Sequence, residues 1–153
     1  SGMKKLQGKA FDRAFMSAMI PHHQAAVDMA KVVLPVSKDA TVKTWANAVI
    51  KDQNREINQM SAWLKANGGT DANMAKMMSG SMQGMASMVK SSKTPDVAFV
   101  QGMIPHHASA VDMANLALQQ GSNPNVLKLA RDIVKVQAQE MYDYRLWLSK
   151  RGL

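Results

Sequence analysis

Apolar residues recur along most of this chain at intervals of three and four, the period of a helix with one face turned inward. With successive residues placed about 100° apart, Phe15, Met19, His22, His23, Ala26, Met29, Ala30 and Val33 share a face, while Gln24, Asp28 and Lys31 point away. The pattern predicts a first helix over residues 9–34, closed by Pro35. Asp39 is placed to cap a second over 40–66. Its apolar face is Val42, Ala46, Val49, Ile50, Ile57, Met60, Trp63 and Leu64, with Gln53 and Glu56 set in the middle, and Gly68-Gly69 ends it. Thr94 and Pro95 open a third helix over 96–120 as cap and first residue, and Gly121 stops it. Asn123 caps and Pro124 begins a fourth, reaching residue 150.

These helices come as a repeat. Met19-Ile20-Pro21-His22-His23 returns 84 residues later as Met103-Ile104-Pro105-His106-His107. Gln53, Glu56, Trp63 and Leu64 return as Gln137, Glu140, Trp147 and Leu148. The predicted fold is all-α: one domain over 1–153, with repeat one at 9–69, a Met-rich connector at 70–93 and repeat two at 94–153. Two amphipathic hairpins bury their faces most easily as a four-helix bundle. The connector is long enough to cross its length, which is the ferritin-like arrangement. Pro21 and Pro105 interrupt the two histidine helices at the same register and are expected to bend them.

Composition narrows the function classes. The 153 residues are 46% hydrophobic, enough for a buried core. No apolar run approaches the roughly 18 residues of a membrane span. The net charge of +8 comes from basic residues interspersed along polar faces, so a solvated surface is expected rather than nucleic-acid binding. With no cysteine, thiolate metal sites, disulfides and cysteine nucleophiles are excluded. A copper protein outside the reducing cytosol can rely on thioethers and imidazoles instead. Ser1-Gly2 reads as a cloning remnant, so a preceding export signal is the expectation. No nucleophile constellation, phosphate loop or dithiol is present, and no enzyme activity is expected.

The candidate chemistry lies in the repeat. All four histidines of the chain fall in its two copies. Spacings of three and four bring Met19 onto one surface with His22 and His23, and Met29 is only about 20° round the axis from His22. Each helix thus offers two imidazoles between two thioethers: Met19, His22, His23 and Met29, then Met103, His106, His107 and Met113. Neutral thioether sulfur favours Cu(I) or Ag(I), while imidazole also serves Cu(II). Core filling by Met and a hydrogen-bonded buried His are the plainer alternatives. Adjacent histidines project about 100° apart, so one of each pair can face another helix or a hydrogen-bond partner.

Gln53, Glu56, Gln137 and Glu140 sit on apolar stripes and need partners. Either they hold the imidazoles in place, or they bond to one another or to a carbonyl freed by Pro21 or Pro105. The connector carries Met74, Met77, Met78, Met82, Met85 and Met88 with no Leu, Ile or Phe among them. Exchangeable Cu(I) or Ag(I) capture fits this best, and a Met-rich grip on a partner protein is the alternative.

The pattern Asp-x-x-Phe-x-x-x-Met-x-x-His-His-x-x-Ala-x-x-Met-Ala, followed by Gln-x-x-Glu, occurs at Asp12 to Ala30 with Gln53 and Glu56. It recurs at Asp96 to Ala114 with Gln137 and Glu140. Here the chain resembles a bacterial family catalogued as a domain of unknown function in the ferritin-like superfamily, whose best-known members are CopM-type copper-binding proteins. The resemblance implies a helical bundle, export to the periplasm or beyond, and copper or silver binding for homeostasis or resistance. A copper-exporting or copper-receiving protein is then the expected partner. Two other readings stand beside it. A ferritin-like dimetal carboxylate oxidase would need inward Glu and Glu-x-x-His motifs, and this chain has no Glu-x-x-His. A metal-free interaction module would use the Met stripe to recruit a helix.

Overall fold

Capping side chains set where the helices start. Asp39 accepts from the Val42 amide at 3.0 Å, Asp71 from Met74 at 3.2 Å and Asn123 from Asn125 at 2.9 Å. In the computed structural model, which describes residues 2–153, a short 3-10 turn (Gly2–Lys5) precedes six helices. They are α1 (Gly8–Val33), α2 (Ala40–Ala66), α3 (Ala72–Ser81), α4 (Met85–Ser91), α5 (Pro95–Gln120) and α6 (Pro124–Ser149). The connector therefore forms two short helices. α1 and α5 run unbroken through Pro21 and Pro105. Thr94 stands at the N-cap of α5, but its hydroxyl caps nothing; its own amide donates to Ser92 Oγ at 3.0 Å.

The four long helices enclose two apolar clusters, one at each end. The first joins Phe11, Phe15 and Met19 of α1 to Met60 and Leu64 of α2, Ala114 and Ala117 of α5, and Val126 and Ile133 of α6. The second joins Met29 and Val33 to Val42 and Val49, Phe99 and Met103, and Tyr144 and Leu148. The start of α1 thus lies with the ends of α2 and α5 and the start of α6. So α1 and α6 point one way, and α2 and α5 the other. Joining the end of α2 to the start of α5 requires a crossover the length of the bundle. α3 makes the first part of it against α1, and α4 the rest against α1 and α5. This is the ferritin-like order. Among the described residues no helix is long and apolar enough to cross a membrane.

The two hairpins also clasp each other. Asp12, 1% exposed, accepts from Ser122 N at 3.1 Å, Ser122 Oγ at 2.9 Å and Asn123 N at 3.0 Å. Asp96, its counterpart in the repeat, accepts from Lys38 N at 2.9 Å. Each acidic residue holds the interhelical loop of the other hairpin. A Cβ on Gly121 would meet Ala117 O at 2.7 Å and Asp12 Oδ1 at 3.1 Å, so only glycine lets that loop close on the carboxylate.

Candidate metal centre

The histidines lie between the two clusters, where α1 and α5 cross, and none is more than 2% exposed. His22 stacks on His106 with ring centroids 3.9 Å apart and planes inclined by 28°. His106 Nε2 donates to the His22 carbonyl at 2.7 Å. His23 and His107, one residue on and so about 100° round the axis, turn outward to the second helix of their own hairpin. His23 Nε2 meets Glu56 Oε1 at 2.6 Å, and His107 Nε2 meets Glu140 Oε1 at 3.0 Å. Within each hairpin, then, one histidine is central and its neighbour is held by a glutamate.

These bonds settle the proton positions. A carbonyl or carboxylate can only accept, so Nε2 of His23, His106 and His107 carries the hydrogen in each of these bonds. Nδ1 of all four histidines is buried without a hydrogen-bond partner, and His22 has none at Nε2 either. A buried polar atom left unpaired costs about 1–3 kcal/mol, so each of these imidazoles has a nitrogen that a ligand could satisfy. Burial, aided by His106, His23 and His107 nearby, lowers the His22 pKa to about 2. Burial, then His107, lowers that of His106 to about 3 against the bond to His22. Both rings are neutral at physiological pH, as metal ligation requires.

The thioethers are arranged differently from the one-helix stripe. Met19 and Met103 are fully buried and Met29 is 1% exposed, but Met29 packs in the cluster of Met103, and Met19 in the other. Gly102 admits the Met29 sulfur, which lies 3.7 Å from where a Cβ would stand. One end of the imidazole layer therefore has buried thioethers from both repeats, Met29 and Met103. Met113 is half-buried beside Met19's cluster and lines a cavity of about 240 Å³ with Ala18, Met3, Met74, Met77 and Met78. It faces the connector. Met85 packs against the other cluster, Met82 borders a groove beside α1, and Met77 and Met88 are 60% and 71% exposed.

Gln53 and Gln137 bond to no imidazole; each is 4% exposed with an unpartnered Oε1. Among the described residues no three of His, Asp and Glu gather closely enough to hold one metal ion, so neither a dimetal carboxylate centre nor a site of three or more imidazoles is assembled. Asp28 accepts from Gln24 at the surface, and Asp12 and Asp96 are committed to loops. Sequence reasoning missed two neighbours. Tyr144 is fully buried, packs edge-on against His107 with centroids 5.3 Å apart, and leaves its hydroxyl unpartnered. Burial raises the pKa of that phenol. The only signal was that it stands where repeat one has Met60. Met3 lies outside every repeated motif and carried no signal.

The sequence pattern of a family described as a domain of unknown function, DUF305, matches residues 12–94 and 96–153. The Cu(II)-bound form of CopM is 31% identical with a TM-score of 0.82, over 95% of this chain and 98% of that one. A DUF305 fragment from Deinococcus radiodurans is 27% identical with a TM-score of 0.77, over 91% and 95%. A DUF305 protein of Streptomyces coelicolor described as secreted shares the fold at 24% identity, with a TM-score of 0.81 over 92% and 93%. CopM has also been solved in Cu(I)-bound and Ag-bound forms. An uncharacterized protein of Acanthamoeba polyphaga mimivirus is 38% identical over 53 residues, and the match spans 35% of each chain.

Proposed function

The chain belongs to the DUF305 family, and we propose that it captures Cu(I), with Ag(I) as surrogate, on imidazole and thioether groups and stores or hands on the ion. The observation that carries this reading is the set of four buried, unpartnered Nδ1 atoms between two clusters holding Met19, Met29 and Met103. Neutral nitrogen and sulfur donors suit a soft monovalent cation, whereas calcium and magnesium want oxygen. Glu56 and Glu140 act one bond further out. They fix the imidazole tautomer and place negative charge near the ion without touching it. The connector methionines are a second, weaker set that loads from solvent.

CopM binding Cu(I), Cu(II) and silver on the same fold supports the choice of metal. The reading assigns no catalysis. It places the protein in the periplasm or outside the cell, where a copper-exporting or copper-receiving protein is its partner. The test is titration of the purified protein with Cu(I), Cu(II), Ag(I) and Fe(II), repeated after His22, His23, His106 and His107 are changed to Ala. Cu(I) and Ag(I) affinity is expected to fall more than about 100-fold in the variant. Unchanged uptake would assign binding to the connector, and tight Fe(II) with oxygen consumption would favour the oxidase.

A further inference from the structure

At the end of the bundle that holds Phe11 and Phe15, thioethers gather outside the imidazole layer. The opening turn, α3 and α5 border a cavity of about 240 Å³ beside Ala18 of α1. Met3 of the turn, Met74, Met77 and Met78 of α3 and Met113 of α5 line it. We propose that this cavity is a second soft-metal site, where the sulfurs of Met3, Met74, Met78 and Met113 hold one Cu(I) or Ag(I) ion. The choice of ion rests on the soft-metal reading above, but the site uses no imidazole.

Three observations carry it. First, the four residues converge from three separate segments. Met3, 4% exposed, belongs to the apolar cluster of that end, and Met74, Met78 and Met113 pack against it. The Met74 methyl lies 3.6 Å from where a Cβ on Gly2 would stand, so its sulfur, one bond back, is beside the turn that carries Met3. Met77, 60% exposed, stays at the rim. Second, these side chains border their space without filling it. Packed interiors leave few voids larger than a water molecule, and methionines serving only as filler would close this one. Their rotatable bonds let each sulfur swing onto an ion while the backbone stays in place. Third, the border favours a soft ion over a hard one. Leu116 is its remaining large apolar side chain, and Lys4 and Asp112, both exposed, are its charged ones. One carboxylate beside one ammonium gives a hard divalent cation too little oxygen and charge, whereas neutral thioethers select Cu(I).

Silver tests this directly. Silver nitrate is titrated into the full chain in chloride-free buffer, and isotope-labelled methionine methyls are followed by NMR. The chain is used unaltered, with Met3→Leu and Met113→Leu, and with His22, His23, His106 and His107 changed to Ala. In the unaltered chain and the histidine variant alike, the methyl signals of Met3, Met74, Met78 and Met113 are expected to move together, with one ion per cavity. In the leucine variant, which conserves volume, the Met74 and Met78 signals should bind silver more than about tenfold more weakly. Amide exchange across α3, which has no fully buried residue, should slow once the ion ties it to the turn and α5. Thermal melts report folding, and Met113→Leu alone decides if the double variant does not fold. Signals that do not move mark a filler or an apolar occupant and overturn the proposal. So do four signals moving in separate steps, unchanged titration in the folded leucine variant, or loss of silver from the cavity in a folded histidine variant. Cavity titration that survives while histidine replacement removes no silver would sink the imidazole layer and leave this site standing.

Discussion

The imidazole layer between α1 and α5 and the methionine connector α3–α4 offer similar soft donors in opposite settings. In the layer, every histidine is at most 2% exposed, and three of the four rings are locked by an Nε2 bond. In the connector, Met77 and Met88 are more than half exposed, on short helices whose apolar contacts reach the core through only some of their residues. Donors held in place without water lose little freedom when an ion binds, whereas flexible surface thioethers must be ordered first. On the proposed reading, the layer would hold an ion tightly and release it slowly, and the connector would exchange it fast.

The largest effect expected from this contrast is on pH. His22 and His106 are neutral in the folded chain, with pKa values of about 2 and about 3, and titrate near 6.5 once unfolded. Below pH 6.5 the unfolded chain binds more protons, so stability is complete above that value and falls as the medium is acidified towards the folded pKa values. Each histidine contributes about 1.4 kcal/mol per pH unit within that window. Melting curves of chelator-treated protein from pH 8 to pH 4 should show Tm flat and then dropping. A Tm independent of pH would mean that the layer is not dry.

Glu56→Gln with Glu140→Gln comes next. Losing the carboxylates that hold His23 and His107 should weaken Ag(I) and Cu(I) binding about 10–100-fold. Competition with a chromophoric chelator reads this, and an unchanged constant would place those imidazoles outside the site. The smallest effect is at the connector. Met77→Leu with Met88→Leu should shift stability by no more than about 0.5 kcal/mol and leave tight silver uptake intact. Weak, rapidly exchanging equivalents should fall, followed by line broadening of the methionine methyl signals. A loss of tight binding there would erase the contrast.

Much of this architecture was legible from the chain. Helix boundaries fell within one or two residues of Gly8–Val33, Ala40–Ala66, Pro95–Gln120 and Pro124–Ser149, because periodicity and capping are local signals. Asp39 and Asn123 cap as their positions implied, while Thr94 does not, since its backbone turns the hydroxyl towards Ser92. The meeting of Met29 and Met103 from different repeats was not legible, nor was Met113 facing the connector. Helical spacing places residues around one axis and is silent on where the next axis lies. The reach of Asp12 to a loop 110 residues away was hidden for the same reason.

The sequence by itself determined that there would be two matching amphipathic hairpins with every imidazole in their matched turns, because a period of 3.6 and a repeat need no partner to be read. Only the tertiary structure decided which histidine of each pair became central. Neighbouring side chains point about 100° apart, and the antiparallel packing of α1 and α5 brought His22 and His106 against each other. That packing left His23 and His107 to the glutamates of α2 and α6.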